Sequence, residues 1–205
     1  SGYWINDFFV EAQGSVGYLS YDSEREVVFG DVTRSAIGEW NGLQYSGVFK
    51  AGYEAKLGAF SITPTAGINY NKIKDNSYLE KDGGAGVNLN VAENNMKSLR
   101  GDLRMELAHT TEFKTGNRVD SIMRIGLHGG WAHEFNQDPL AITAAFENVA
   151  QSFTLNGDPI AKNNYQAGAG VQFTSNYIAF SIKYDAEWRD GYLGHLASMN
   201  LRVRF

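Results

Sequence analysis

Charged side chains of both signs alternate with apolar ones along several stretches of this chain. In the clearest case, Arg100, Asp102, Arg104 and Glu106 occupy every second position. Every second side chain of an extended backbone points to the same side, so these acids and bases would lie side by side on one face. Such a face would form ion pairs and hydrogen bonds and would hold water. The other members of this predicted charged face are Arg124, Lys183, Asp185, Glu187, Arg202 and Arg204.

The histidines offer little for catalysis or metal binding. His109 and His195 fall on apolar positions near strand ends, and His128 falls on the charged face. No two histidines have the spacing of metal ligands, and the chain has no cysteine. His133 and Glu134 are the only pair that could serve a hydrolase at the mouth of a barrel. We therefore expect no enzyme activity, no metal site and no cofactor.

The charged face belongs to strands whose other face is apolar. At the end of the chain, Met199, Leu201, Val203 and Phe205 alternate with polar residues. Large apolar residues that continue to the chain end fit a sheet whose apolar side faces lipid. We predict an all-β protein, an antiparallel transmembrane β-barrel, with about eight strands of roughly ten residues each. The predicted strands cover about 7–20, 41–56, 60–71, 98–114, 123–131, 165–173, 178–189 and 197–205.

The connections between these strands alternate in length, except that the connection at 189–194 is short although it lies on the long side. Short ones are predicted at 57–59, 115–117 and 174–176, and long ones at about 21–39, 72–96 and 136–164. Outer-membrane barrels have short turns on one side and long loops on the other, so we assign the long connections to the outer side. Within the last of them, Leu140–Phe146 and Phe153–Leu155 alternate, which predicts a small hairpin at the barrel mouth.

Aromatic residues collect at both ends of the predicted strands, as in the two aromatic belts of a membrane protein. A soluble β-sandwich also has alternating strands, but it explains neither the belts nor the sorting of the loops. The belt near the long connections is predicted to contain Trp40, Trp131 and Trp188, and the belt near the short turns Tyr53, Phe60, Phe113 and Phe173.

The composition is compatible with this assignment. The chain of 205 residues has 23 glycines, 3 prolines and a formal net charge of -5. It has no basic cluster, which argues against nucleic acid as a partner. It also has no run of about 18 apolar residues, which excludes a transmembrane helix. The expected surroundings of the apolar face are therefore the lipids of a bacterial outer membrane.

Several stretches of the sequence, in their order and spacing, resemble those of a known protein family. They are Tyr53–Glu54 with Ile62–Tyr70, Tyr78–Glu80, Trp131–Phe135, Phe153–Ala161, and Tyr184–Glu187 followed by Gly191–Tyr192 and the last strand. Together they resemble the C-terminal β-domain, or translocator, of bacterial autotransporters, the type V secretion proteins.

The resemblance implies that residues 1–205 are the C-terminal part of such a domain. Family domains have about twelve strands, preceded by a helix in the pore and a secreted passenger, so about eight strands would be the last two-thirds. It also implies that the β-barrel assembly machinery recognises the terminal strand through Met199, Leu201, Val203 and Phe205, and that the domain exports its own passenger. Asn94–Asn95 and Asn163–Asn164 are similar to the cleaved pairs of some relatives, but we interpret them as loop asparagines.

Two other functions stay open at this point. Eight strands are enough to close a barrel, so the chain could be a small complete outer-membrane barrel with a role in adhesion or envelope structure. A barrel hydrolase that uses His133 is the third possibility.

Overall fold

The computed structural model describes residues 2–5, 7–115, 118–136, 141–158 and 161–204. Its regular structure consists of strands, which confirms the all-β prediction. In chain order they are β1 (Gly2–Ile5), β2 (Phe8–Phe29), β3 (Val32–Tyr53), β4 (Ala55–Leu57), β5 (Phe60–Asp75), β6 (Tyr78–Leu79), β7 (Leu89–Val91), β8 (Asn94–Thr115), β9 (Arg118–Glu134), β10 (Ala141–Phe146), β11 (Ser152–Asn156), β12 (Asn163–Ser175), β13 (Ile178–Arg189) and β14 (Tyr192–Val203). Across these ranges, no helix is long and apolar enough to cross a membrane.

The main sheet is antiparallel and, within the described ranges, contains eight long strands, in agreement with the prediction of about eight. Its order is β1-β2-β3-β5-β8-β9-β12-β13-β14, with β4 paired to β5. Consecutive long strands are therefore neighbours, so the chain runs up and down across the sheet. Among the described residues no pairing joins β14 to β1 or β2, and these strands form the two edges of the sheet.

The pairing register keeps the apolar positions of all long strands on one face. Tyr45, for example, lies opposite Val16, and Phe49 lies opposite Ile68. A one-residue slip would exchange the two faces of a strand, so the hydrophobic pattern fixes the register. The apolar face is open: Val16 is 71% exposed and Tyr18 is 69% exposed. No layer of protein covers this face in the described residues, unlike the interior of a sandwich.

The sheet curves toward its polar face. Arg124 on β9 contacts the carboxylate of Glu54, the residue after β3, at 3.4 Å. β5 and β8 lie between β3 and β9. Three steps between strands amount to about 14 Å along a sheet. The contact across this span places the polar side chains on the concave side, which we call the inner face, and the apolar side chains on the convex outer face.

The segment predicted as a loop over 21–39 is instead an extension of the β2–β3 hairpin. The ladder continues without interruption to the pair Phe29–Val32, and Gly30 and Asp31 form the turn. Gly30 has a φ of 57°, which glycine adopts at little cost. The prediction was wrong because it relied on an apolar face. Beyond the lipid both faces of a strand can be polar while the backbone hydrogen bonds continue.

The other two long connections form a second sheet of four strands in the order β11-β10-β7-β6, which we call the loop sheet. The hairpin predicted from the alternation around 140–155 is β10–β11, in which Ala141 pairs with Asn156; Leu140 lies outside the described residues. β10 also pairs with β7 from the 72–96 connection. The two predicted loops are therefore largely ordered as one unit.

Candidate functional site: the inner face

Two polar clefts lie on the inner face and contain most of the charged residues predicted from the sequence. Arg104, Glu106, Arg124, Lys183 and Asp185 line a cleft of about 250 Å³. Arg100, Asp102 and Glu187 line a neighbouring cleft of about 240 Å³, together with Arg104. Arg202 on β14 and Arg204 just after it follow the same alternation, but they are exposed and line neither cleft. Their strand is an edge of the sheet, with a neighbour on one side.

Arg124 joins carboxylates from two other parts of the sheet. Its guanidinium donates to Glu106 on β8 at 3.1 Å and to Glu54 at 3.4 Å. Each charge is at least partly shielded from water, so the attraction is stronger than on an open surface. Glu54 is not among the site residues predicted above, although strict alternation after Tyr53 places it opposite to the apolar set.

His128 reaches across a strand through a gap left by a glycine. Its Nε2 lies 2.7 Å from Asp185 Oδ1. β12 lies between the strands of these two residues. Gly168 of β12 sits under the ring: a Cβ there would come within 2.5 Å of His128 Cε1. The missing side chain lets the imidazole lie against the sheet on its inner face.

Amide side chains complete the inner face. Asn69 donates to Asp102 at 2.6 Å, where Asp102 lies over Gly67, and Asn164 donates to Glu187 at 2.6 Å. Carboxylates held by amides or by arginine have their hydrogen-bonding capacity satisfied by the wall itself. The inner face is thus largely polar, and several of its carboxylates are held by neighbouring side chains. These amides were not predicted, because an asparagine in a strand carries no signal of its partner.

The pair proposed for hydrolysis is not brought together. His133 and Glu134 are consecutive in β9 and point to opposite faces. Glu134 is 4% exposed and accepts hydrogen bonds from Ser98 Oγ at 2.7 Å and from the Leu99 amide at 2.9 Å. His133 contacts the Asn163 side chain at 3.0 Å. Both residues have structural partners that fix strand ends.

The asparagine pairs predicted to lie in loops are instead at strand starts. Asn94 is the first residue of β8, and Asn163 is the first of β12. Asn163 accepts a hydrogen bond from the indole of Trp131 at 3.0 Å. The prediction that these asparagines lie in loops is wrong because the connections that precede β8 and β12 are shorter than predicted.

The predicted aromatic residues occupy the outer face, with one exception. Tyr53, Phe60, Phe113, Phe173, Trp131 and Trp188 share that face, whereas Trp40 has the opposite parity in β3. Trp40 stacks between Tyr21 at 5.0 Å and Tyr78 at 4.4 Å. It therefore does not belong to the belt: the prediction used its closeness to a long connection and ignored its face.

This aromatic stack attaches the loop sheet to the β2–β3 hairpin. Beside it, Arg25 of β2 donates to Glu80 from Nε at 3.1 Å, and the Leu89 amide donates to the same carboxylate at 2.8 Å. Glu80 is 4% exposed. The hydrogen bond to Glu80 raises the pKa of Arg25, and burial together with the Glu80 charge raises the pKa of Tyr78. A backbone bridge between Ile37 and Lys81 adds to this attachment.

The comparison with protein families agrees with this geometry. A family model described as the autotransporter beta-domain matches residues 1–185. The chain belongs to this family. An autotransporter β-domain is a protein of the bacterial outer membrane, which confirms the predicted location and accounts for an apolar face that is left open.

The named relatives of this chain are much longer than the chain itself. Outer membrane protein A of Rickettsia conorii is 25% identical over 173 residues, 84% of this chain and 8% of the relative. Outer membrane protein B of the same organism is 24% identical over 208 residues, 98% of this chain and 12% of the relative. The extracellular serine protease of Serratia marcescens is 22% identical over 204 residues, 96% of this chain and 18% of the relative. The chain thus spans less than a fifth of the length of these relatives.

Proposed function

We propose that this β-domain is the translocator of a larger protein and conveys an attached passenger through the outer membrane to the cell surface. The observation that supports this most directly is the inner face. It is mainly polar, and some of its charges are paired across strands, as in the contacts of Arg124 with Glu54 and Glu106. An unfolded chain that passes such a wall meets mostly polar groups and finds little apolar surface to which it would adhere.

The domain needs no catalytic group for this role, and we expect it to have no enzyme activity. Assembly would depend on β14, an edge strand whose Met199 is 69% exposed and whose Leu201 is 64% exposed. We propose that the β-barrel assembly machinery recognises this strand by pairing with its open edge. Phe205, the last residue of the predicted signal, lies outside the described residues.

Two neighbouring residues of β12 allow a matched test of the export route. Both residues border the inner cleft, but Gly170 lies opposite Lys183 and has the parity of the inner face, whereas Ala169 lies opposite Tyr184 and has the parity of the outer face. In the full-length protein, Gly170→Trp should narrow the bore and lower the amount of passenger that added protease reaches on intact cells. Ala169→Trp places the same side chain toward lipid and should leave passenger exposure unchanged.

The same cells give the control for assembly. Folded outer-membrane barrels migrate differently on gels before and after heating, and both variants should keep this heat-modifiable migration. Normal passenger exposure with Gly170→Trp, or an equal loss with both variants, would contradict export through the inner face.

The alternative of a small complete barrel receives less support. A closed barrel of these eight strands needs β14 to pair with β1 or β2, and the described residues show no such pairing.

A further inference from the structure

Three lysines stand on the outer face, at the end of the sheet where β5 and β8 leave it for their long connection. Lys72 and Lys74 continue the outward positions of β5 beyond Tyr70. Lys97 continues the outward positions of β8 next to Leu99. We call Lys72, Lys74 and Lys97 the lysine cluster.

The register brings two of these positive charges directly together. Lys72 lies opposite Lys97 in the antiparallel pair β5–β8. Like charges in directly opposite positions, with Cβ atoms about 5 Å apart, destabilise a pair of strands. Unless a bound anion lies between the two ammonium groups, their repulsion lowers the stability of the sheet at this point.

Carboxylates of the protein do not balance the cluster. Glu93 lies 3.8 Å from the Lys74 ammonium, with both side chains about half exposed, so this ion pair contributes little. Glu39, on the outer face of β3, pairs with Lys81 at 3.9 Å. Among the residues that the structure describes, no ion pair involves Lys72 or Lys97. The cluster therefore keeps a net positive charge.

The position of the cluster indicates the kind of anion. Tyr45 and Leu43 of β3 lie opposite Lys72 and Lys74, and the apolar outer face continues below them through Ile68 and Leu103. Lysine stems can lie on such apolar surface while their ammonium groups extend to the polar boundary. The fixed anions at the boundary of a membrane are lipid phosphates.

We propose that the lysine cluster binds the phosphate groups of a glycolipid in the outer leaflet of the outer membrane. Three ammonium groups on adjacent strands, within about 8 Å at their Cβ atoms, suit a headgroup that carries more than one phosphate. A phosphate between Lys72 and Lys97 would turn their repulsion into two attractive contacts. The inference rests on the proposed orientation, in which the long connections lie outside the cell.

The test uses the full-length protein, purified in detergent and freed of bound lipid. It is titrated with lipid A that carries two phosphates, with lipid A stripped of phosphate, with phosphatidylglycerol and with inorganic phosphate. We expect tightest binding to the bisphosphorylated lipid A, and binding at least about tenfold weaker for the K72Q/K74Q/K97Q variant, because each lysine near an anionic surface adds to the attraction. The control K56Q/K114Q removes two lysines at the short-turn end and should bind normally.

Several outcomes would overturn the proposal. They are equal binding by the K72Q/K74Q/K97Q variant, equal binding of phosphate-free lipid A, a preference for phosphatidylglycerol, and displacement of lipid A by inorganic phosphate at equal concentration. Passenger exposure on cells separates this test from that of the proposed function. Binding of lipid A by a protein that fails to display its passenger would support the cluster and overturn the translocator role.

Discussion

Gly168 is the residue on which the contact of His128 with Asp185 across β12 depends. A side chain at this position would meet the His128 ring at 2.5 Å and the Tyr184 carbonyl oxygen at 2.6 Å. We expect Gly168→Val to separate His128 from Asp185 and to lower the free energy of unfolding by about 1–3 kcal/mol, as overpacking does. The temperature at which the heat-modifiable band disappears measures this loss. Gly47→Val is the control, because a Cβ at that position has nothing within 4 Å; an equal melting temperature for both variants would contradict the assignment.

Phe180 and Ser181 test which face meets lipid. Phe180 pairs with Phe173 and Leu201, whereas Ser181 pairs with Gln172 and Asn200. We expect Phe180→Arg to cost about 2–4 kcal/mol of stability in the membrane if the residue is near the midplane, because an arginine there must be desolvated. Ser181→Arg places the same charge on the hydrated face and should be tolerated. Refolding into lipid vesicles under increasing denaturant measures both, and equal costs would show that the two faces are assigned wrongly.

Among the elements, the loop sheet is attached to the β2–β3 hairpin by side-chain and backbone contacts. Glu80 is the central one, since it accepts hydrogen bonds from Arg25 and from the Leu89 amide. We expect Glu80→Ala to cost about 1–3 kcal/mol locally, because Arg25 and a backbone amide lose their partner. Protease added to intact cells should then cut the 81–88 segment faster, while the barrel band keeps its migration. Glu39→Gln removes an exposed pair with Lys81 and should cause no change; faster cutting in both variants would argue against Glu80 as the attachment.

The elements also show what a sequence can and cannot predict. The alternation around Leu103 and Arg104 is enough to predict the strand and its two faces, because successive side chains of a strand point to opposite sides. The stretch around Glu24 to Val28 has polar residues on both faces, so the sequence pattern does not distinguish its strand from a loop. The contacts of Arg124 with Glu54, and of His128 with Asp185, depend on the curvature of the sheet, which no local pattern contains. Trp40 shows the opposite error, since its position along the strand was right and its face was not.

At the scale of the whole molecule, the open edges of the main sheet decide whether these residues can stay in lipid alone. Each unpaired backbone N–H or C=O group in hydrocarbon costs several kcal/mol. We therefore expect residues 1–205, expressed by themselves with an export signal, to give no heat-modifiable band in outer-membrane fractions. The full-length protein, analysed in parallel, should give one. A stable, protease-resistant band from residues 1–205 alone would show that β14 closes onto the first strands.

The β2–β3 hairpin has a practical consequence for work on living cells. Each of its strands has 22 residues, about 70 Å of extended chain, whereas a tilted strand crosses the hydrocarbon in about ten residues. In the proposed orientation its tip at Gly30 and Asp31 stands well clear of the lipid, and a Cβ at residue 30 meets nothing within 4 Å. An antibody against this tip should bind to intact bacteria. A short peptide inserted at the tip should be displayed outside the cell without disturbing the part of the sheet that lies in the membrane.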